Sequence, residues 1–483
     1  MDSTLQQAYA QATSANTVYN NNISRWQFLY DSYVGGEAYR AGGYLTKYLL
    51  ETEGEYAQRL KATPLDNQCR SIIATYVSFL FRQEPEREMG SLELEPALEG
   101  YMEDVDWEGR DLDSFMKQAA IWANVFGHTW IIMSKPNVGA VTRADEMMMG
   151  VRPYLNMLTP LVVTDWSWKR NINGSYTLDY FKYIEDVNGD ETVIKEWTAE
   201  TITTTVVNTD KNTVLGQQID INGLGMIPAV CLYAHTSSIR GVGLSTIEDI
   251  ADAQRFIYNM QSEVEQAVRL GSHPSLVATK ETQLGAGAGS IIQMPENMDP
   301  GLKPYVLEFS GQDVASIYNA IDNTVQSIDK MANTGSIRAT QAVEMSGISR
   351  QVEFQLLDAR LSEQADNIEL AEEQLWKLYA AYQGYTWDGE VKYPDSFAIK
   401  DVSDELNKLV TAFNTIIDPD RRMLIEHEIM EIIDIEDVES ETHELEEEMF
   451  VPRQMINPDT GDMKLVDSPE EYQAALALGF MDE

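Results

Sequence analysis

A chain of 483 residues with 78 acidic against 35 basic side chains has a formal net charge of −43 at neutral pH, which argues against tight binding of a polyanion, because such binding runs on Lys and Arg displacing counterions. With 43% hydrophobic and 9% aromatic residues there is material for a sizeable core; wholesale disorder is excluded, and length alone allows about three domains or one elongated chain with several regions. Two cysteines, Cys69 and Cys231, make neither a disulfide framework nor a thiolate metal site and fit a reducing compartment; no apolar run approaches the ~18 residues needed to cross a bilayer, and MDSTLQQAYAQATSAN lacks the basic start and apolar stretch of a signal peptide.

Residues 1 to about 24 are polar and rich in Gln, Asn and Ala, and are expected to be poorly ordered up to Trp26. The Tyr-dense segment from Arg25 to Leu60, broken by Gly35-Gly36 and Gly42-Gly43, reads as packing rather than as a stacking platform. Gln68 to Phe81 reads as a buried helix ending before Glu84-Pro85. A second, amphipathic helix runs from Asp111 to about Phe126, with Gly127 placed as its C-cap.

After Gly127 the period changes. Thr129 to Met133, Tyr154 to Met157, Leu161 to Trp166 and Tyr176 to Ile184 are short β-branched and aromatic segments separated by Pro, Gly and Asn, the pattern of strands. Asp186 to Asp190 resembles the opening of a calcium loop, but Glu191 stands where the turn glycine belongs and Trp197 where the bidentate Glu should be. An Asn188-Gly189 hairpin turn explains the same residues without a metal. Thr201 to Val207, Val214 to Ile221 and Ile227 to Tyr233 complete a β-rich block of about 110 residues.

Helix returns at Gly241-Val-Gly243, where Ser245 and Glu248 have the spacing of a capping box and an apolar stripe runs to Val268 before Gly271. That helix is roughly 40 Å long at ~1.5 Å per residue. An insert of about 38 residues follows, with strands expected at Ser275 to Thr279, Ile291 to Met294 and Tyr305 to Phe309 around the Gly285-to-Gly289 run. Next comes a striped helix through Val314, Ile317, Tyr318, Ile321, Val325, Ile328 and Met331, with Asp313, Asp322 and Asp329 opposite the stripe. The two long helices thus bracket a small β-containing tip as an antiparallel pair.

Periodicity stops at Asn333-Thr334-Gly335-Ser336 and restarts after Ser346-Gly347, continuing to Tyr379. That run is too long for an average globular helix: it is either a spine across the molecule or a kinked helix read in two pieces, and such lengths mark oligomers and arrays more often than isolated domains. Beyond Tyr385, Ser403 to Ile417 and Pro419 to about Ile433 form a helical hairpin with Asp418 as N-cap, and more than half of Asp434 to Glu448 is acidic, the composition of a solvated segment. The fold class is α+β, predominantly α.

Catalytic templates fail one by one. His427-Glu428 and His443-Glu444 begin the zinc-protease pattern, but Glu431 and Glu447 occupy the second histidine position. The Gly285-to-Gly289 run lacks dinucleotide-fingerprint spacing, no Gly-Lys-Ser/Thr phosphate loop is present, and Gly243-x-Ser245 lacks the second glycine of a nucleophile elbow. With so many carboxylates, paired acids carry no information. No enzyme, cofactor or metal is expected; an acidic metal-assisted hydrolase and a helical scaffold or adaptor without a DNA channel are the alternatives.

The succession of parts resembles the portal (head-tail connector) proteins of tailed bacteriophages. The resemblance rests on Tyr33-Val-Gly-Gly-Glu-Ala-Tyr39, Gly127-His-Thr-Trp-Ile-Ile-Met133, Gly241-Val-Gly-Leu-Ser-Thr-Ile-Glu248, Ser310 to Thr334 and Ser346-Gly-Ile-Ser349, and spans roughly residues 26 to 433. It implies a wing with the N-terminal region over 1–240, stem helices over 241–271 and 310–332, a small α/β clip over 272–309, a tunnel loop over 333–347, a spine helix with wing completion over 348–400, and an α-helical crown with the acidic segment over 401–483. It also implies a twelve-subunit ring at one capsid vertex, in the virion and in host cytoplasm during assembly, through which double-stranded DNA is packaged and ejected. Terminase, head-completion or adaptor proteins, the major capsid protein and scaffold would be its partners, with no membrane.

On that resemblance, Asn333, Thr334, Gly335, Ser336, Arg338, Thr340, Gln341 and Glu344 would belong to the tunnel loop, with Arg338 either touching phosphate nonspecifically or pairing with Glu344. Asp322, Asp329 and Lys330 would line the channel, where carboxylates repel phosphate, or else lie on the outer stem surface. Lys280, Glu281, Gln283, Glu296, Asp299 and Lys303 would form the docking surface of the clip.

Overall fold

The computed structural model describes residues 3–136, 143–272, 275–277, 299, 305–307, 312–338, 347–397, 411, 413, 422, 453–456, 463–466 and 481–482. They divide into two compact units, Met1–Phe397 and Ala398–Glu483.

The first unit opens with helices α1 (Ser3–Ala12), α2 (Thr17–Val34), α3 (Gly36–Ala41), α4 (Glu53–Ala62) and α5 (Gln68–Leu80). Helix where disorder was expected before Trp26 is a correction, and its cause lies outside the segment. Asn16 caps α2 by accepting the Tyr19 N–H at 2.7 Å, its own N–H reaches the Thr164 carbonyl at 3.0 Å, and the Tyr19 hydroxyl donates to the Leu161 carbonyl at 2.9 Å. Ala12 is buried with Ile194 and Val207. A polar stretch becomes helical because a distant sheet supplies its partners.

Next come β1 (Glu86–Glu88), a 3-10 turn over Gly90–Leu94, α6 (Leu98–Glu103) and α7 (Leu112–Phe126). Both ends of α7 follow the sequence: Asp111 accepts the Ser114 N–H at 2.6 Å, and Gly127 takes a left-handed φ of 90°. A Cβ on Gly127 would lie 2.5 Å from the Gly243 carbonyl oxygen, so both conformation and space demand glycine there.

The β block holds β2 (His128–Ser134), then the short helix α8 (Arg143–Met148), β3 (Tyr154–Leu158), β4 (Val163–Arg170), β5 (Tyr176–Asn188), β6 (Glu191–Trp197), β7 (Thr201–Asn208), β8 (Thr213–Ile221), β9 (Ala229–Tyr233), β10 (His235–Thr236) and β11 (Gly243–Leu244). Strands β3-β2-β9 form one antiparallel sheet, and β4 to β8 form a five-stranded meander in chain order. The sheets meet through Trp130, whose ring lies 4.9 Å from Phe181 and 6.2 Å from both Trp166 and Trp168. Asn188 pairs with Glu191, so the β5–β6 turn is centred on Gly189-Asp190, one residue later than expected, with the positive φ of 59° on Gly189.

The long helices follow: α9 (Glu248–Ser272), the strands β12 (Ser275–Val277) and β13 (Tyr305–Leu307), α10 (Gln312–Met331), the short α11 (Gly335–Arg338), α12 (Gly347–Gln383) and β14 (Glu390–Lys392). Pairing of β12 with β13 is antiparallel, so the chain leaving α9 returns beside itself before α10, which packs on α9. The expected capping box at Ser245 does not form. Its hydroxyl donates to the Val125 carbonyl at 2.7 Å and accepts the Ile247 N–H at 3.1 Å, while Glu248 is held by Arg25 at 2.6 Å.

Helix α12 is one continuous element of 37 residues rather than two. Its second half buries Ala371, Leu375, Trp376, Leu378, Tyr379 and Ala380, and β14 returns to pair with β1. Among the described residues no helix is long and apolar enough to cross a membrane.

In the second unit, β15 (Arg453–Ile456), β16 (Met463–Val466) and β17 (Met481–Asp482) form an antiparallel sheet with β15 in the middle. The resemblance implies a helical crown with the acidic segment over 401–483, and this small sheet is an addition to it. Thr411, Phe413 and Arg422 are helical, with the Arg422 guanidinium 4.5 Å from the Phe413 ring centre; the acidic run 434–448 lies outside the described residues.

Candidate functional site

Helix α10 has two unlike faces. Ile321, Ile328 and Ala332 are buried, with Val314, Ile317 and Val325 packed beside them. Asn319, Asp322, Asn323, Gln326, Ser327 and Lys330 are exposed. In a chain this acidic, the outward face of α10 is built mainly of amides and hydroxyls.

Its C-terminal end is closed by a Schellman arrangement. Asn333 takes the left-handed conformation at φ 52°, the Thr334 N–H reaches back to the Asp329 carbonyl at 3.0 Å, and the Asn333 N–H reaches the Lys330 carbonyl at 3.3 Å. Two side chains from elsewhere take the remaining carbonyls. Tyr76 of α5 donates to Ala332 O at 2.7 Å, and Arg360 of α12 donates to Met331 O at 2.9 Å, a cation at the negative end of the helix dipole.

Arg338 completes this base. Its Nη1 lies 2.7 Å from Asp329 Oδ1 and its Nη2 donates to Gln68 Oε1 at the start of α5. Both charged side chains are largely enclosed, at 14% and 16% exposure. Removing one partner would strand the other's charge, at a cost of roughly 2–3 kcal/mol. The base is therefore anchored to α5 and α12 rather than swinging free.

Of the residues assigned to the loop, Asn333, Thr334, Gly335, Ser336 and Arg338 sit at this base, Ser336 within α11; Thr340, Gln341 and Glu344 lie outside the described residues. Of the three stem residues, Asp322 and Lys330 are exposed, while Asp329 is turned to Arg338. Of the six residues the resemblance gives to the clip only Asp299 is described, and it is exposed; Lys280, Glu281, Gln283, Glu296 and Lys303 fall outside the described residues. Sequence reasoning missed Gln68, Tyr76 and Arg360. The signal available for Tyr76 was a hydroxyl on the buried face of α5, which demands a partner.

A polar cleft of 530 Å³ opens where the start of α9 meets α12, lined by Thr246, Asp249, Arg360 and Glu363 among others. In it the His235 Nδ1 lies 3.3 Å from Glu363 Oε2, and its Nε2 lies 3.2 Å from the Gln364 amide. Thr246 donates to the Asn124 side chain at 2.5 Å. Both ring nitrogens are engaged and the nearby Ser245 hydroxyl is turned to a backbone carbonyl, so the described residues here hold no nucleophile and base poised for each other. Among the described residues no group of three or more His, Cys, Asp or Glu could hold a metal ion.

No family model matches the chain, and no curated protein matches it. Among solved structures it is similar to a chain of the neck of an empty GTA particle computed with C6 symmetry, at 11% identity and TM-score 0.47, over 81% of this chain and 99% of that one. It is also similar to a chain of the virion of a native gene transfer agent (GTA) particle, at 11% identity and TM-score 0.44, over 79% and 96%. A third likeness, at 10% identity and TM-score 0.41 over 74% and 89%, is to a chain of the neck of a native GTA particle computed with C12 symmetry. At identities and TM-scores this low, function has to be argued from the chain's own residues.

Proposed function

We propose that this chain is a structural subunit of a closed ring around a channel for double-stranded DNA, a portal-type protein at one vertex of a phage-like capsid. The observation that carries the reading is the set of large apolar side chains that one copy leaves uncovered on its long helices: Phe256 and Val268 on α9, Tyr318 on α10, and Leu356 and Leu370 on α12, each between 45% and 58% exposed. Helices of 25, 20 and 37 residues with uncovered apolar positions suit lateral packing between copies. In such a ring α9 and α10 form the stem, the β12–β13 tip carries the clip that docks terminase and later adaptors, and the loop beyond Arg338 approaches the DNA. The five-stranded meander belongs to a wing that faces capsid protein and scaffold.

The outward face of α10 suits a surface past which a duplex slides. Amides and hydroxyls offer phosphate only weak hydrogen bonds, and Asp322 repels it. Contacts of this kind are nonspecific and fade with salt.

The test is the mass of the purified full chain by native mass spectrometry. A closed particle of about twelve copies is expected; a species below about four copies at micromolar concentration overturns the ring.

A further inference from the structure

Copies of a chain with net charge −43 repel one another, so a ring of them needs local attraction where they touch. The β4–β5 hairpin carries a surface of the opposite sign. Lys169 and Arg170 end β4, Tyr176 begins β5, and Arg240 lies across from them, its guanidinium 3.8 Å from the Tyr176 ring centre while that of Arg170 lies at 5.9 Å. The Arg240 backbone is pinned, its carbonyl accepting Trp166 Nε1 at 3.2 Å and the next N–H donating to the Tyr233 hydroxyl at 2.8 Å. Other cations of this sheet have carboxylates, Lys195 on Glu185 at 2.5 Å and Lys182 near Glu196 at 4.0 Å. Among the described residues no carboxylate lies within ion-pair distance of Lys169, Arg170 or Arg240. The fully exposed Ile172 projects at the hairpin tip.

Arginine and tyrosine around an exposed aliphatic side chain are the composition of a protein interface core rather than of a surface meant for water. A phosphate backbone would use the cations but leave Ile172 in solvent. The matching chemistry occurs on the same chain. A cleft of 570 Å³ beside α6 is lined by Leu98, Met102 and Pro96 together with Glu93, Glu99 and Glu103, and Leu94 beside it is 78% exposed. Glu99 and Glu103 stand four apart on α6, a like-charge spacing that weakens a helix unless a cation answers it. Each surface holds repulsion within itself that the other would relieve.

We infer that the cationic β4–β5 hairpin of one copy docks on the acidic, apolar-floored α6 cleft of the next, Arg170 and Arg240 facing Glu99 and Glu103 while Ile172 meets Leu98 and Met102. Two different surfaces joined head to tail generate a ring when the rotation closes. This rests on the ring reading above and names one of its contacts.

The test is a charge swap in the full chain, read by native mass spectrometry beside circular dichroism. Both the R170E/R240E and the E99K/E103K variants should keep wild-type dichroism and fall to small species, and the four substitutions together should restore the closed particle. A ring that persists in R170E/R240E overturns this contact and leaves the ring reading standing, including the case where that variant loses only DNA retention, which would assign the hairpin to nucleic acid. Two broken doubles whose combination stays broken while folded would show that the surfaces do not face each other. A wild-type chain that is already small removes both the ring and this contact.

Discussion

At the scale of single residues the Glu372 carboxylate is tightly held. It is fully buried on α12 and takes Arg87 Nε at 2.6 Å and Nη2 at 3.2 Å, Trp376 Nε1 at 3.1 Å and the Tyr393 hydroxyl at 2.6 Å. Four donors saturate its two oxygens, which is what allows a charge at that depth. Burial works against the Arg87 charge, yet the Glu372 carboxylate outweighs it and holds the guanidinium pKa above its ordinary value. Arg87 also reaches the half-exposed Asp113 at 2.6 Å, so Glu372→Gln should lower unfolding free energy by about 2–4 kcal/mol in urea titration, and an R87L/E372L double should cost less than the single change, because the charge it leaves unpaired, Asp113, is in reach of water. A loss under about 1 kcal/mol for E372Q would mean the network is not closed in solution. His128 offers a test by pH. Its ring is buried, its Nδ1 accepts the Gly243 N–H at 3.3 Å, and burial lowers its pKa from 6.5 to about 3. A depressed folded-state pKa gives stability that is whole above about 6.5 and is lost as pH falls toward 3, up to about 1.4 kcal/mol per pH unit. Between pH 6.5 and 5 the wild type should therefore lose about 2 kcal/mol that His128→Gln does not lose, so urea midpoints that shift in parallel for both would refute a buried neutral ring.

At the scale of elements, what the sequence showed and what it hid divide along one line. Helices α5, α7, α10 and α12 were legible because stripe, cap and breaker coincide in one stretch of chain: Asp111 and Gly127 mark both ends of α7 without help from any other segment. Pairings across long separations left no local trace. Strands β1 and β14 are three residues each and meet across some three hundred positions, and α1 and α2 take their support from Leu161 and Thr164. The site follows the same rule. Arg338 stood out as a lone cation beside a breaker-rich loop, but its Gln68 contact joins α11 to α5, and Asp329, for which the sequence left channel and outer stem surface both open, pairs with Arg338. This predicts how the loop base fails. In Arg338→Ala, Tyr76 and Arg360 still cap α10, so the mass of the proposed ring should be unchanged while stability falls by roughly 2 kcal/mol and limited proteolysis at α11 quickens. Loss of the ring in that variant would place Arg338 in the contact between copies instead.

For the whole molecule, the chain divides after Phe397 into two compact units. Phe397 is itself buried, with its N–H on the Asp358 carboxylate of α12, and the described residues of the large core run from Trp26 to Phe397. A chain ending at Phe397 should therefore unfold in one cooperative transition, within about 1 kcal/mol of the corresponding transition of the full chain. The second unit carries the run 434–448, acidic at more than half its positions; in the proposed ring that charge would add repulsion between copies for salt to screen. If α9, α10, α12 and the hairpin-to-cleft contact close the ring, the shortened chain should still assemble, and at lower ionic strength than the full chain. Native mass spectrometry across a salt series decides it: a folded 1–397 chain that stays monomeric where the full chain forms a particle would move the closing contacts into the second unit, and the uncovered apolar residues of the long helices would then need another explanation.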